Sequence, residues 1–150
     1  MIGRPGWIAL SGAVVAFAAF VAPVVIPTSF DDYRKTAVQA AQDALGQVRT
    51  VALVVEAARD GRTLKPYVSQ VFWQSREALG TAQKEMAAEE VPDARAKSVE
   101  AQIVPLLAAS IRQVNAAEIT LDDDVTAAGT AVRELTDLGD QLAVFVGRYR

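Results

Sequence analysis

The stretch from Trp7 to Ile26, WIALSGAVVAFAAFVAPVVI, contains no ionisable side chain and is long enough to cross a bilayer. A spanning helix needs about 20 predominantly apolar residues, each adding about 1.5 Å of rise. The run divides the chain into residues 1–27, a short tail with an anchor, and residues 28–150, a separate domain. A cleaved signal peptide is the competing assignment. Its apolar core is usually about 7–15 residues long and ends at a small-x-small cleavage site. Ala16-Phe17-Ala18 offers those residue types only in mid-run, and the exit carries Pro23 and Pro27, so a retained signal anchor is expected. A short N-terminal tail and a long polar remainder place the N-terminus in the cytoplasm and residues 28–150 outside it, in a single-pass protein of the cell membrane. Along the run Ala9 and Ala13 stand four apart, as do Gly12 and Ala16. That spacing lets two membrane helices approach closely, although alanine is common throughout the chain. Pro23 lacks the N–H that would bond to the Ala19 carbonyl, so a bend near the outer leaflet is expected.

Composition narrows the function classes. The 150 residues hold 15 Lys and Arg against 18 Asp and Glu, a net charge of −3, and Arg4 lies before the span. The domain is therefore acidic, which disfavours a nucleic-acid surface, where a clustered basic face must neutralise phosphates. There is no cysteine and no histidine. Disulfides, thiolate metal sites, haem thioethers and histidine acid–base chemistry are thereby removed. A Glu-x-x-His di-metal bundle is likewise impossible. Neither a catalytic residue, nor a cofactor, nor a metal site is expected. Asp122, Asp123 and Asp124 lack the alternating ligands, central glycine and twelfth-position Glu of a calcium loop.

Apolar residues after Pro27 recur in steps of three and four, predicting an all-α domain with helices at about 29–60, 66–90, 92–118 and 121–149. In the first, Phe30, Tyr33, Ala37, Ala40, Ala44, Val48, Val51, Val55 and Ala58 form a stripe, broadened by Val38, Leu45, Leu53 and Val54. A helix apolar over so much of its girth touches more than one neighbour. Ser29 with Asp32 resembles a capping box, and Asp60-Gly61 supplies a left-handed stop. The second helix opens on Pro66 and places Val68, Phe72, Ser75, Leu79, Ala82 and Met86 inward. Phe72 and Trp73 point about 100° apart. Phe72 is assigned to the core and Trp73 to a boundary between helices, with contact to a partner protein as its functional alternative. The third helix restarts after Val91-Pro92-Asp93, carries Ala96, Val99, Ile103, Leu106, Ser110, Val114 and Ala117, and should bend at Pro105. Thr120 and Asp123 are expected to cap the fourth, with Asp122 to Asp124 in its first turn, where the helix dipole favours carboxylates. Its stripe is Leu121, Val125, Ala128, Val132, Leu135, Leu142 and Phe145, and Gly129 and Gly139 mark close helix packing.

Short connections make these helices an up-down-up-down four-helix bundle with coiled-coil-like seams; two hairpins completing a core against a second copy would use the same stripes. Helix parity returns Arg148, Tyr149 and Arg150 to the end from which the first helix departs, beside the anchor, where aromatic and cationic residues suit lipid headgroups. Opposite charges are expected to meet at both ends: Glu85, Glu89, Glu90 and Asp93 near Arg148 and Arg150, and Arg59, Arg62 and Lys65 near Glu118 and the aspartates. The resulting expectation is a membrane-anchored accessory or assembly subunit of a larger bacterial cell-envelope complex, acting through protein partners or as a homo-oligomer, and not an enzyme. The alternative is a ligand-sensing bundle that signals through a partner. In shape it resembles the extracytoplasmic domain of bacterial chemoreceptors, with no shared motif.

Overall fold

The computed structural model describes residues 29–123 and 125–150. Four helices follow one another: α1 (Phe30–Arg59), α2 (Lys65–Ala88), α3 (Ala94–Asp123) and α4 (Val125–Tyr149). Among the described residues no helix is long and apolar enough to cross a membrane. The Trp7–Ile26 run, with Ala9, Gly12, Ala13 and Ala16, lies outside the described residues.

The ends of α1 follow from its sequence. Ser29 is extended, and its hydroxyl accepts from the Asp32 N–H at 3.2 Å while donating to the Asp32 carboxylate at 2.6 Å. That hydrogen bond holds the Asp32 carboxyl below its usual pKa. At the other end Gly61 takes φ +67°. Its N–H bonds to the Ala58 carbonyl at 3.0 Å and that of Arg62 to Ala57 at 2.8 Å, the pair of bonds of a Schellman stop. α2 has Leu64 at its N-cap, without a side-chain bond, and Pro66 in its first turn. It ends at Ala88, two residues before the expected boundary, and Glu89 is already extended. Pro92 excludes helical backbone at Val91, so the chain unwinds before reaching it.

Two boundaries differ from expectation for a physical reason. α3 does not start at Pro92; Asp93 caps it, accepting from the Ala96 N–H at 2.8 Å. That bond, with the adjacent Arg95, holds the Asp93 carboxyl below its usual range. At the other end α3 runs past Glu118 to Asp123. The Thr120 hydroxyl donates backwards to the Ala117 carbonyl at 2.9 Å instead of capping α4. Thr is as able to bond an upstream carbonyl as to cap, so its presence did not mark the boundary. Asp122 and Asp123 consequently belong to the last turn of α3 and not to the first turn of α4.

Contacts along the seams show consecutive helices running antiparallel. Thr36 in α1 meets Glu89 just after α2, Arg76 in α2 pairs with Glu118 in α3, and Gln102 in α3 meets Tyr149 in α4. α1 touches α2, α3 and α4, whereas α2 and α4 do not touch. The cross-section is thus a rhombus whose short diagonal joins α1 and α3. Ala37, Ala40, Ala41 and Ala44 on α1 are buried and small, which is what lets its axis approach the opposite helix. Larger residues fill the rest of the core, among them Tyr33, Phe72, Leu79, Ile103, Leu135 and Leu142.

The core departs from the expected stripes at several places, Ala131 for instance being buried on α4 and Val132 only half-buried. Leu107, not Leu106, is buried on α3. Leu106 turns instead toward the seam with α4, half-buried. Leu138 joins Leu135, Leu142 and Phe145 in a three-four-three spacing on α4. Leu53 does not broaden the apolar face of α1, being 67% exposed. Gly139 does lie against α1, where a Cβ would meet side-chain atoms of Leu45 and Arg49 at 3.7 and 3.8 Å. Two buried serines are satisfied: Ser75 donates to the Gln47 side chain at 3.0 Å and Ser110 to the Leu106 carbonyl at 2.9 Å.

Candidate functional site

The start of α1 and the end of α4 share one end of the bundle, as helix parity requires. Arg34 Nη1 donates to the carbonyls of Tyr149 at 2.8 Å and Arg150 at 3.2 Å, taking up acceptors that a helix C-terminus leaves unpaired. Tyr149 stacks at a tilt on Phe145, ring centroids 4.8 Å apart. The Gln102 side chain then clamps the last turn. Its amide N–H donates to the Tyr149 hydroxyl at 2.6 Å, and its carbonyl accepts from Arg148 Nη1 at 2.9 Å. Nearby, the Arg95 guanidinium lies over the Phe30 ring, 4.4 Å from its centroid. Of the three residues assigned to a membrane surface, Tyr149 is therefore half-buried and engaged, while Arg148 and Arg150 stay exposed.

Tyr33 lies fully buried near this end. Burial first, then the charges of Glu100 and Glu89, push its hydroxyl above the ordinary tyrosine pKa. The Arg34 Nε atom is buried without a hydrogen-bond partner, as is the Gln113 side-chain carbonyl.

Among the described residues the acidic side chains Glu85, Glu89, Glu90 and Asp93 form no ion pair with Arg148 or Arg150, and the side chains of residues 122–124 lie outside those described. Arg59 and Arg62 bind their neighbour Asp60, Arg95 binds Asp93, and Arg34 and Lys35 bind Asp31 and Asp32 one turn away. A residue one turn away is already within reach, so the pair forms with little loss of side-chain freedom. Among the described residues only Arg76–Glu118 joins two helices by an ion pair.

Trp73 is not a boundary residue. It stands 55% exposed on α2, beside a fully buried Phe72. Ile119, next to the Glu118 that Arg76 holds, is also exposed on α3. An exposed indole is a large apolar surface with one polar N–H, the side chain most often found at the centre of protein contacts.

Grooves run along the bundle among the described residues. One, of about 430 Å³, lies between α1 and α2 and carries Asp43, Gln47, Glu77 and Glu85. No group of three or more acidic side chains among the described residues is arranged to hold a metal ion. Another, of about 540 Å³, lies between α3 and α4. Leu106, Ala109 and Phe145 give it an apolar floor, Val144 lies 61% exposed along it, and Gln102 and Arg148 stand at one end. The sequence stripes missed this groove because they register the inward face only. Gln102, Pro105 and Ala109 on α3, and Gln141, Val144 and Arg148 on α4, repeat at steps of three and four on the outward side. No protein-family model, curated protein or solved structure matches the chain.

Proposed function

We propose that this protein is a single-span membrane protein whose extracytoplasmic four-helix bundle serves as an accessory or assembly subunit of a larger envelope complex. The observation that carries the reading is the uncharged Trp7–Ile26 run, which meets the length of a spanning helix and ends three residues before Ser29 caps α1. The arrangement of the bundle supports it. Its N-terminal end also holds Arg148 and Arg150, so two exposed cations would lie level with the headgroups if α1 leaves the outer leaflet. The exposed Trp73 gives the outward surface a contact point for a partner. Function by assembly, not by catalysis, fits a chain without histidine or cysteine whose buried serines are bonded within the fold.

Extraction and capture test the two halves of this reading. The full chain should stay with membranes through alkaline carbonate washing, and mild detergent should release it with stoichiometric partner proteins. Carbonate-soluble protein would refute the span. A detergent-purified chain that brings down no other protein would refute the assembly role.

A further inference from the structure

The α3–α4 groove is apolar along its floor, open to the outside, and flanked by charges that do not pair within one chain. Across the seam Gln102 lies level with Arg148 and Tyr149. α3 and α4 run antiparallel, so moving from Gln102 to Ala109 matches moving from Arg148 to Gln141, and both residues do line the same groove. One more turn on each helix brings Arg112 on α3 level with Asp137 on α4, and Glu134 and Asp140 flank that level on α4. Arg112, Glu134, Asp137 and Asp140 are all exposed. None of them is in an ion pair among the described residues.

We propose that the α3–α4 face is a homodimer interface: two copies pack groove to groove about a two-fold axis parallel to the helices, with Arg112 of each facing Asp137 of the other. Rotation about such an axis sets α3 of one copy against α4 of its mate at the same height. The basic position then meets the acidic stretch twice, as a closed two-fold interface requires. The four facing helices make a second antiparallel four-helix unit, with Val144, Leu106, Ala109 and Phe145 of both copies enclosed at its centre. The parallel axis keeps every residue at its own height, whereas an axis perpendicular to the helices would set α4 against α4. The parallel axis also places both Ser29 residues at the same end, as two anchors in one bilayer need. This last point rests on the single-span reading; the charge register does not.

The test uses the full chain in mild detergent, with mass measured by light scattering after size exclusion. The wild type should be a dimer. Arg112→Glu and Asp137→Arg should each weaken dimerisation by about tenfold or more, because each places like charges opposite one another at two symmetric positions. Both side chains are exposed, so helicity by circular dichroism should not change in either variant. A one-to-one mixture of the two variants should recover the dimer, because the substituted Glu of one copy then meets the substituted Arg of the other and the native pair forms at the second position. A monomeric wild type overturns the proposal. So does a dimer indifferent to either reversal, or variants that stay monomeric when mixed. Loss of the chain from washed membranes would refute the span without touching these outcomes.

Discussion

Gly139 sits inside α4, buried against α1, and its replacement by alanine decides whether glycine is required there. An alanine Cβ would lie 3.7 Å from Leu45 Cδ1, 3.8 Å from Arg49 Cγ and 4.0 Å from Arg49 Nε. All three are side-chain atoms at ordinary van der Waals separation, so no atom has to move. Against no steric cost stands the lower helix propensity of glycine, about 1 kcal/mol relative to alanine in a helix interior. Gly139→Ala should therefore stabilise the bundle by about 1 kcal/mol. Unfolding entropy of about 2.1 cal/mol/K per residue over roughly 120 residues converts this into a rise in Tm of about 4 °C. The necessary contrast is Gly61→Ala. Its φ of +67° is strained for a side chain, so although open space surrounds it the change should lower stability by about 1 kcal/mol. Thermal melts followed by circular dichroism read both. A Gly139→Ala protein that melts below wild type would mean that α1 and α4 need the closer approach only glycine allows, and the reasoning from these distances would fail.

Adjacent aromatic residues on α2 should part company. Phe72→Ala empties a fully buried site and should cost about 3–5 kcal/mol, while Trp73→Ala should change stability by less than about 0.5 kcal/mol and reduce partner recovery in detergent pull-downs. Equal destabilisation by the two would contradict the burial assigned to them. Tyr33 supplies a pH dependence. Its folded pKa is raised, so its stabilising effect is complete below the unfolded value near 10 and is lost as pH climbs through the folded value. Denaturant midpoints should fall above about pH 10, and less steeply in Tyr33→Phe; identical alkaline profiles would rule Tyr33 out as the cause.

What the sequence made legible was whatever depends on helical period or on a residue with one local use. Gly61 after Asp60 stops a helix wherever it occurs, and the inward steps of α1 and α2 coincide with the core except at Phe30, Ala58 and Val68 near the helix ends, which are half-buried. The junction of α3 and α4 was misplaced because Thr120 and the aspartates suit a helix start, while nothing between Glu118 and Asp123 forbids a helix from continuing. Residues that break helices leave a mark in the sequence. Residues that only prefer other conformations are overruled by packing. The same distinction separates Leu106 from Leu107. Either fits the period, and packing in the folded bundle buries Leu107 while leaving Leu106 half-buried.

Interaction surfaces were harder to see because they depend on which helix sides remain uncovered. α1 and α3 each touch all three other helices, whereas α2 and α4 each touch only two and keep the larger uncovered sides. On those helices Trp73 and Val144 stand exposed, and they occupy separate regions, since α2 and α4 lie on the long diagonal and do not touch. A homodimer closed through α3 and α4 would therefore leave Trp73 uncovered in both copies. The two contacts should then be separable. Arg112→Glu should yield a monomer that still recovers the partner through Trp73, and Trp73→Ala a dimer that does not. If the dimer-breaking variant also lost the partner, the two surfaces would have to form a single site, and the rhombic arrangement that keeps α2 away from α4 argues against that.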